Sequence, residues 1–252
     1  MRRPSWAILG SVLVLFLFLA EEGRASSFNV SPLKIVLSGK TSSALLEITN
    51  QSPDALRLQL SVSAWDQRST GEILLSPTDE VILFPPLVSI EPGEKRKIRL
   101  GAVTPRGVTE KTYRIVLEEL PPAKSHEAEG GVIHVLTRMT IPVFLEPTKK
   151  VVSGEIADLT LRNGTASFAV KNTGNAHFSP QRIELIGAGA SGQPIAKHDI
   201  DGWYVLAGST RAYDIRLSTE ECRNLKSLTV EAQSEAGPLK AQLDVNVGDC
   251  GP

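Results

Sequence analysis

Aromatic side chains are scarce in this chain of 252 residues: three tryptophans, three tyrosines and seven phenylalanines, 5% of the whole. Sulfur is scarcer, with two cysteines and two methionines. The four histidines, His126, His134, His177 and His198, show no His-x-x-x-His or Cys-x-x-His spacing. No metal site can therefore be read from them. A Gly-x-Ser-x-Gly elbow and a phosphate-binding glycine loop are also missing, and with them the sequence signs of a hydrolase or a nucleotide-driven machine. A formal net charge of −1 offers no counter-field to nucleic acid or to an anionic membrane. Beyond residue 20 no stretch is apolar for the roughly 20 residues that a bilayer span needs. No long segment repeats apolar residues at helical spacing, which leaves an all-β chain as the expectation.

The N-terminus reads as a secretion signal over residues 1–25. Arg2 and Arg3 precede an uncharged, mostly apolar run from Trp6 to Ala20, and Gly23 and Ala25 are the small residues expected before a cleavage point. Removing three arginines and two glutamates shifts the formal charge from −1 to −2. The mature chain of about 227 residues suits two domains of ordinary size. An exported chain with two cysteines is expected to join them, Cys222 to Cys250, for about 3–4 kcal/mol by the chain-entropy estimate.

What is present in quantity is strand and turn signal. Ala44–Asn50 alternates and ends in Asn50-Gln-Ser-Pro53; Ala166–Asn172 alternates and ends in Asn172-Thr-Gly-Asn175. Gly174 is expected to take a positive φ in that turn. Ile90-Glu-Pro-Gly93 precedes a strand with Ile98 and Leu100, and Leu206-Ala-Gly208 precedes one with Tyr213 and Ile215. Asn163-Gly164 reads as a turn, and Trp65 and Trp203 as core aromatics. Short strands with Gly, Pro and Asn turns, in the same order twice, predict two tandem immunoglobulin-like β-sandwiches, over 26–147 and 148–252. The polar segment Glu146–Lys150 is the expected link.

The most informative stretch is 113–144. After Tyr113–Pro122 and a polar loop, Ile133, Val135, Thr137, Met139, Ile141 and Val143 share one strand parity. Val132, His134, Leu136, Arg138, Thr140 and Pro142 share the other. One face is nearly all apolar and the other mixed. Pro142 cannot donate to a ladder and favours an edge. Such a strand is either half of a sandwich core or an edge that can be lent to another protein.

Five segments together carry a resemblance. Phe84–Leu100, Tyr113–Pro121, Arg138–Phe144, Asn172–His177 and Tyr204–Arg211 resemble, in order, the signatures of periplasmic pilus chaperones, the PapD-like partners of outer-membrane ushers. The Tyr-Arg and Ile-Pro-Val-Phe details are more similar to the archaic branch. The resemblance implies a chaperone that fills the gap in an incomplete pilin subunit with its G1 strand, here through Ile133, Val135, Thr137 and Met139, and passes it to an usher. It also implies basic residues that anchor the subunit's C-terminal carboxylate. Lys34 falls where the family's better-known branch has its first-strand arginine. The second anchor of that branch aligns with Pro142 and is absent, and its interdomain arginine aligns with Glu146. Arg114 and Arg138 are the expected substitutes, unless they are solvated or paired with Glu118 or Glu119. Pilin subunits and an usher are the implied partners, without nucleic acid, cofactor, membrane insertion or enzymatic activity. Whether the free protein caps its edge by dimerising stays open. The competing reading is a two-domain structural or adhesive exported protein.

Overall fold

The computed structural model describes residues 27–121 and 135–250. Residues 1–25, Ile133 and His134 lie outside the described residues. The first ten strands are β1 (Phe28–Ser31), β2 (Ile35–Leu37), β3 (Ser43–Asn50), β4 (Leu56–Gln67), β5 (Ile73–Pro77), β6 (Val81–Phe84), β7 (Leu87–Ile90), β8 (Lys95–Ala102), β9 (Lys111–Glu119) and β10 (Arg138–Leu145). They form two facing sheets. One has the order β1-β3-β8-β6; the other has the order β2-β10-β9-β4-β5, with β7 also paired to β4. Alternation decides the faces. In β3, Leu46 and Ile48 point inward and are fully buried, whereas Leu45 between its neighbours is 54% exposed. Ile98 and Leu100 of β8, Ile115 and Leu117 of β9, and Ile141 and Val143 of β10 complete this core.

The rest of the chain supplies β11 (Gly154–Arg162), β12 (Thr165–Asn172), β13 (Arg182–Ala188), β14 (Pro194–Asp201), β15 (Thr210–Arg216), a short helix α1 (Thr219–Arg223), β16 (Ser227–Ser234) and β17 (Gly237–Asp244). Sheets β11-β12-β15 and β14-β13-β16-β17 enclose a second core around Phe168, Val170, Phe178, Leu185, Val205 and Val230. Ser218 and Glu221 cap α1 reciprocally. The helix carries Cys222, which is bonded to Cys250 in the 3-10 turn after β17, with the two Cα atoms 5.8 Å apart. The fold is all-β apart from these turns of helix, in two immunoglobulin-like sandwiches.

The two halves repeat a hydrogen-bonding device at the strand ends matched by sequence. Asn50 Oδ1 accepts from the Ser52 N–H, and its Nδ2 donates to the carbonyls of Asp54 and Ile90. Asn172 Oδ1 accepts from the Gly174 N–H, and its Nδ2 donates to Ala176 and Val205. Both side chains are buried, so each must satisfy its own polar atoms within the fold. Gly93 and Gly208 follow at φ of 75° and 70°. Asn163 and Gly164 form the tight β11–β12 turn with φ of 49° and 74°.

Three expectations need correction. Gly174 does not have a positive φ; it is glycine because a Cβ there would strike the Val151 carbonyl oxygen and the Ser153 nitrogen. Trp203 is not a core residue but 43% exposed, and Trp65, though buried, packs between the two sandwiches rather than inside one. Of the long strand predicted from Val132, residues 132–134 lie outside the described residues, Val135–Thr137 are not in a strand, and β10 starts at Arg138, near the end of β9 at Glu119.

Candidate functional site

β10 runs antiparallel to β9 along its whole length, from Arg138 opposite Glu118 to Leu145 opposite Lys111. On its other side β2 pairs only with Val143, Phe144 and Leu145. From Arg138 to Pro142 that edge has no strand partner among the described residues. The Glu119 N–H donates to the Thr137 carbonyl at 2.9 Å, so odd-numbered residues direct their backbone groups toward β9. The alternation of an antiparallel ladder then turns the N–H and C=O of Arg138 and Thr140 outward. Pro142 can offer only a carbonyl and ends the usable donors just where β2 takes over.

The apolar parity of β10 changes role along the strand. Ile141 and Val143 are 1% and 0% exposed in the sandwich's own core. Met139 is half-buried and packs against that core, Thr137 is half-buried, and Val135 is 65% exposed. The row thus starts inside the protein and continues beyond it. Thr137 is held by two bonds to Glu119, its N–H donating to Oε2 at 3.0 Å.

The opposite parity of β10 and β9 forms the outer face of the same sheet, and this face meets the second sandwich. Trp65, Phe144 and Leu206 are buried together with Tyr204 against them. Phe144 stacks on His177, their ring centroids 3.6 Å apart. His177 Nδ1 lies 2.6 Å from Glu110 Oε2, which also accepts from the His177 N–H. Gln67 Nε2 donates to the Tyr204 carbonyl, Asn175 Nδ2 to Val108, and the Ala212 N–H to Ser69. The link is pinned as well: Arg106 donates to the carbonyls of Glu146 and Pro147, and the Glu146 carboxylate pairs with Lys150 at 3.2 Å.

Arg114 stands at the head of this junction. It is 4% exposed, lies opposite Pro142, and sets its guanidinium carbon 4.0 Å from the centre of the Trp65 ring. Nη1 donates to Thr140 Oγ1 at 2.9 Å, while Nε and Nη2 have no partner among the described residues. Burial pushes its pKa below the usual guanidinium value, and the nearby Tyr204 phenol opposes that shift. Lys34 is exposed and forms no ion pair among the described residues; it precedes Ile35, the partner of Val143, so it lies beside the Pro142–Arg114 row. Arg138 is exposed and paired with Glu118 at 3.1 Å, a surface pair worth at most about 1 kcal/mol. The structure therefore places Arg114 and Lys34 around one row and leaves Arg138 at the far, solvated end. Sequence reasoning missed Glu110, Phe144, His177 and Tyr204 as junction residues, since nothing local distinguishes a residue buried between sandwiches from one buried within them.

Known proteins share this fold. Residues 27–150 match the model of the pili and flagellar-assembly chaperone family, PapD N-terminal domain. The first sandwich is a PapD-like N-terminal chaperone domain. Chaperone protein PmfD of Proteus mirabilis (strain HI4320) is 24% identical over 143 residues, 55% of this chain and 52% of that protein. The chain thus aligns with about half the length of this curated relative. Among solved structures, a chain of the CsuC–CsuE chaperone–tip adhesion subunit pre-assembly complex, from the archaic chaperone-usher Csu pili of Acinetobacter baumannii, superposes with a TM-score of 0.57 at 19% identity, covering 86% of this chain and 97% of that one. A chain of the Salmonella enterica SafA pilin–SafB chaperone complex gives a TM-score of 0.57 at 14% identity, covering 87% and 98%. At these identities the likeness carries the fold alone. The family match and the solved structures agree in the fold.

Proposed function

We propose that this protein is a periplasmic chaperone that binds pilin subunits by lending them the unpaired edge of β10, and that it delivers them to an outer-membrane usher. One observation carries the reading. The apolar row that begins in the core at Val143 and Ile141 runs on through Met139 and Thr137 to the exposed Val135, beside an edge with free backbone groups. Ile133, outside the described residues, has the same parity in the sequence. An incomplete sandwich laid along this edge would receive ladder bonds for its own unpaired strand and apolar side chains for its open core. Each Val or Ile so buried contributes roughly 1.5–3 kcal/mol. The subunit's terminal carboxylate would be anchored by Arg114 with Lys34 beside it, and Arg138, four residues from Pro142 along β10 and paired with Glu118, would meet the subunit farther along the edge. Residues 1–25 would direct export to the periplasm, and the two sandwiches would divide at 147/148. The details shared with the archaic branch support membership of that branch. No nucleotide is required, because exchange of the lent strand for a better-matched one can draw on the subunit's own unfinished folding.

The test is co-expression of the tagged full chain with the pilin-like proteins encoded beside it, next to the Ile133→Asp/Val135→Asp variant. A one-to-one complex that the folded variant loses is the expected result. No complex with any such protein would favour a structural or adhesive two-domain protein instead.

A further inference from the structure

β9 gives up its hold on β10 at Glu119. Its next amide, Leu120, donates away from β10, to the Arg57 carbonyl of β4, and Arg57 Nη1 donates to the Pro121 carbonyl. Both bonds draw the end of β9 toward β4. Pro121 and Pro122 then have no N–H to offer to any neighbour. The row of side chains on β10 nevertheless runs past this point, from Met139 to Thr137 and the 65% exposed Val135. A ladder cannot hold the backbone there.

Glu119 holds it with one backbone bond and one side-chain bond. Its N–H donates to the Thr137 carbonyl at 2.9 Å, and its Oε2 accepts from the Thr137 N–H at 3.0 Å. In a regular antiparallel pair the second bond goes to the backbone carbonyl of the residue opposite. Here a carboxylate oxygen takes that place, and a hydrogen bond to a charged acceptor is stronger than the neutral one it replaces. The two bonds fix the peptide planes on both sides of Thr137. They lie on the β9 side, so they do not compete with pairing along the outer edge. By the same alternation the backbone groups of Leu136 turn outward, as those of Arg138 and Thr140 do.

Building on the strand-donation reading, we propose that Glu119 is a positioning residue of the lent edge: its side chain stands in for a ladder partner that β9 no longer supplies, and so adds Leu136 to the backbone groups offered to a subunit. Thr137 is kept in line with Met139 and Ile141, and Val135 leaves the sandwich in a set direction. The segment is ordered before a subunit arrives, which lowers the cost of ordering it on binding. Unlike a backbone bond, this hold is removable by substituting one side chain.

The test uses the full chain in complex with a pilin-like protein encoded beside it, and reads two quantities. The first is the dissociation rate of the complex, followed by exchange against unlabelled full chain. Glu119→Ala should raise it about tenfold, as expected for the loss of one charge-assisted bond. Glu119→Gln keeps an acceptor oxygen and should recover most of that loss. The second is hydrogen–deuterium exchange at the Leu136 amide, which should be protected in the wild-type complex and exposed in the Glu119→Ala complex, with Arg138 and Thr140 protected in both. A wild-type dissociation rate for Glu119→Ala overturns the proposal. So does a Leu136 amide that exchanges freely in the wild-type complex, a result that needs no variant to fold. Either leaves strand donation standing as long as Arg138 and Thr140 are protected. Free exchange at those two amides overturns strand donation and this proposal together.

Discussion

Two asparagines show how single residues hold this fold. Asn50 and Asn172 each close a turn and bridge to a carbonyl of a distant strand, from a buried position. Replacing either by alanine strands at least two buried polar groups, which should cost about 1–3 kcal/mol per site in denaturant unfolding. Glu80 gives a pH signature at the same scale. Hydrogen bonds from Lys111 and then Tyr113 hold its carboxyl below the usual range, and Thr104 adds a third. A depressed folded-state pKa means that its stabilisation is complete above the unfolded value near 4.5 and fades as pH falls through the folded value. Glu80→Gln should therefore lower stability at neutral pH and flatten its loss between about pH 5 and 3, read from thermal melts across that range. The asparagines were legible in the sequence because they sit in strand-ending turns twice over. Glu80 was not, since its partners Lys111 and Tyr113 lie some thirty residues away and only the sheet brings them together.

At the level of the element, β10 divides one row of side chains between two jobs. Substituting aspartate at Val135 should leave the melting temperature nearly unchanged, because that side chain is already 65% exposed, yet weaken subunit binding strongly. The same change at Ile141 should unfold the first sandwich, since it places a charge in a core position that is 1% exposed. Circular dichroism of the two variants side by side distinguishes the jobs. The pattern of alternation revealed the row, but not where it leaves the core. That point depends on how far β9 and β2 extend beside it, which parity alone does not encode. The Cys222–Cys250 bond ties α1 to the last turn of the chain. Replacing both cysteines by serine should lower stability by about 3–4 kcal/mol in urea unfolding, with β10 and its edge unaffected.

Across the whole molecule, the junction converts two sandwiches into one working surface. Phe144 belongs to β10 yet stacks on His177 of the second sandwich, and His177 reaches back to Glu110 of the first. The link adds its own bonds through Arg106. The order of turns and strands made two sandwiches legible from the sequence. Their packing was not, because aromatic residues such as Trp65, Phe144 and Tyr204 carry the same apolar signal whether they fill a core or a seam between cores. The central claim is that the free edge of β10 becomes a paired strand when a subunit binds. Hydrogen–deuterium exchange of the full chain, alone and with a bound pilin subunit, tests this directly at the Arg138 and Thr140 amides. The account predicts fast exchange in the free protein and strong protection in the complex, with Ile141 and Val143 protected in both. Binding that leaves the Arg138 and Thr140 amides exchanging freely would contradict it.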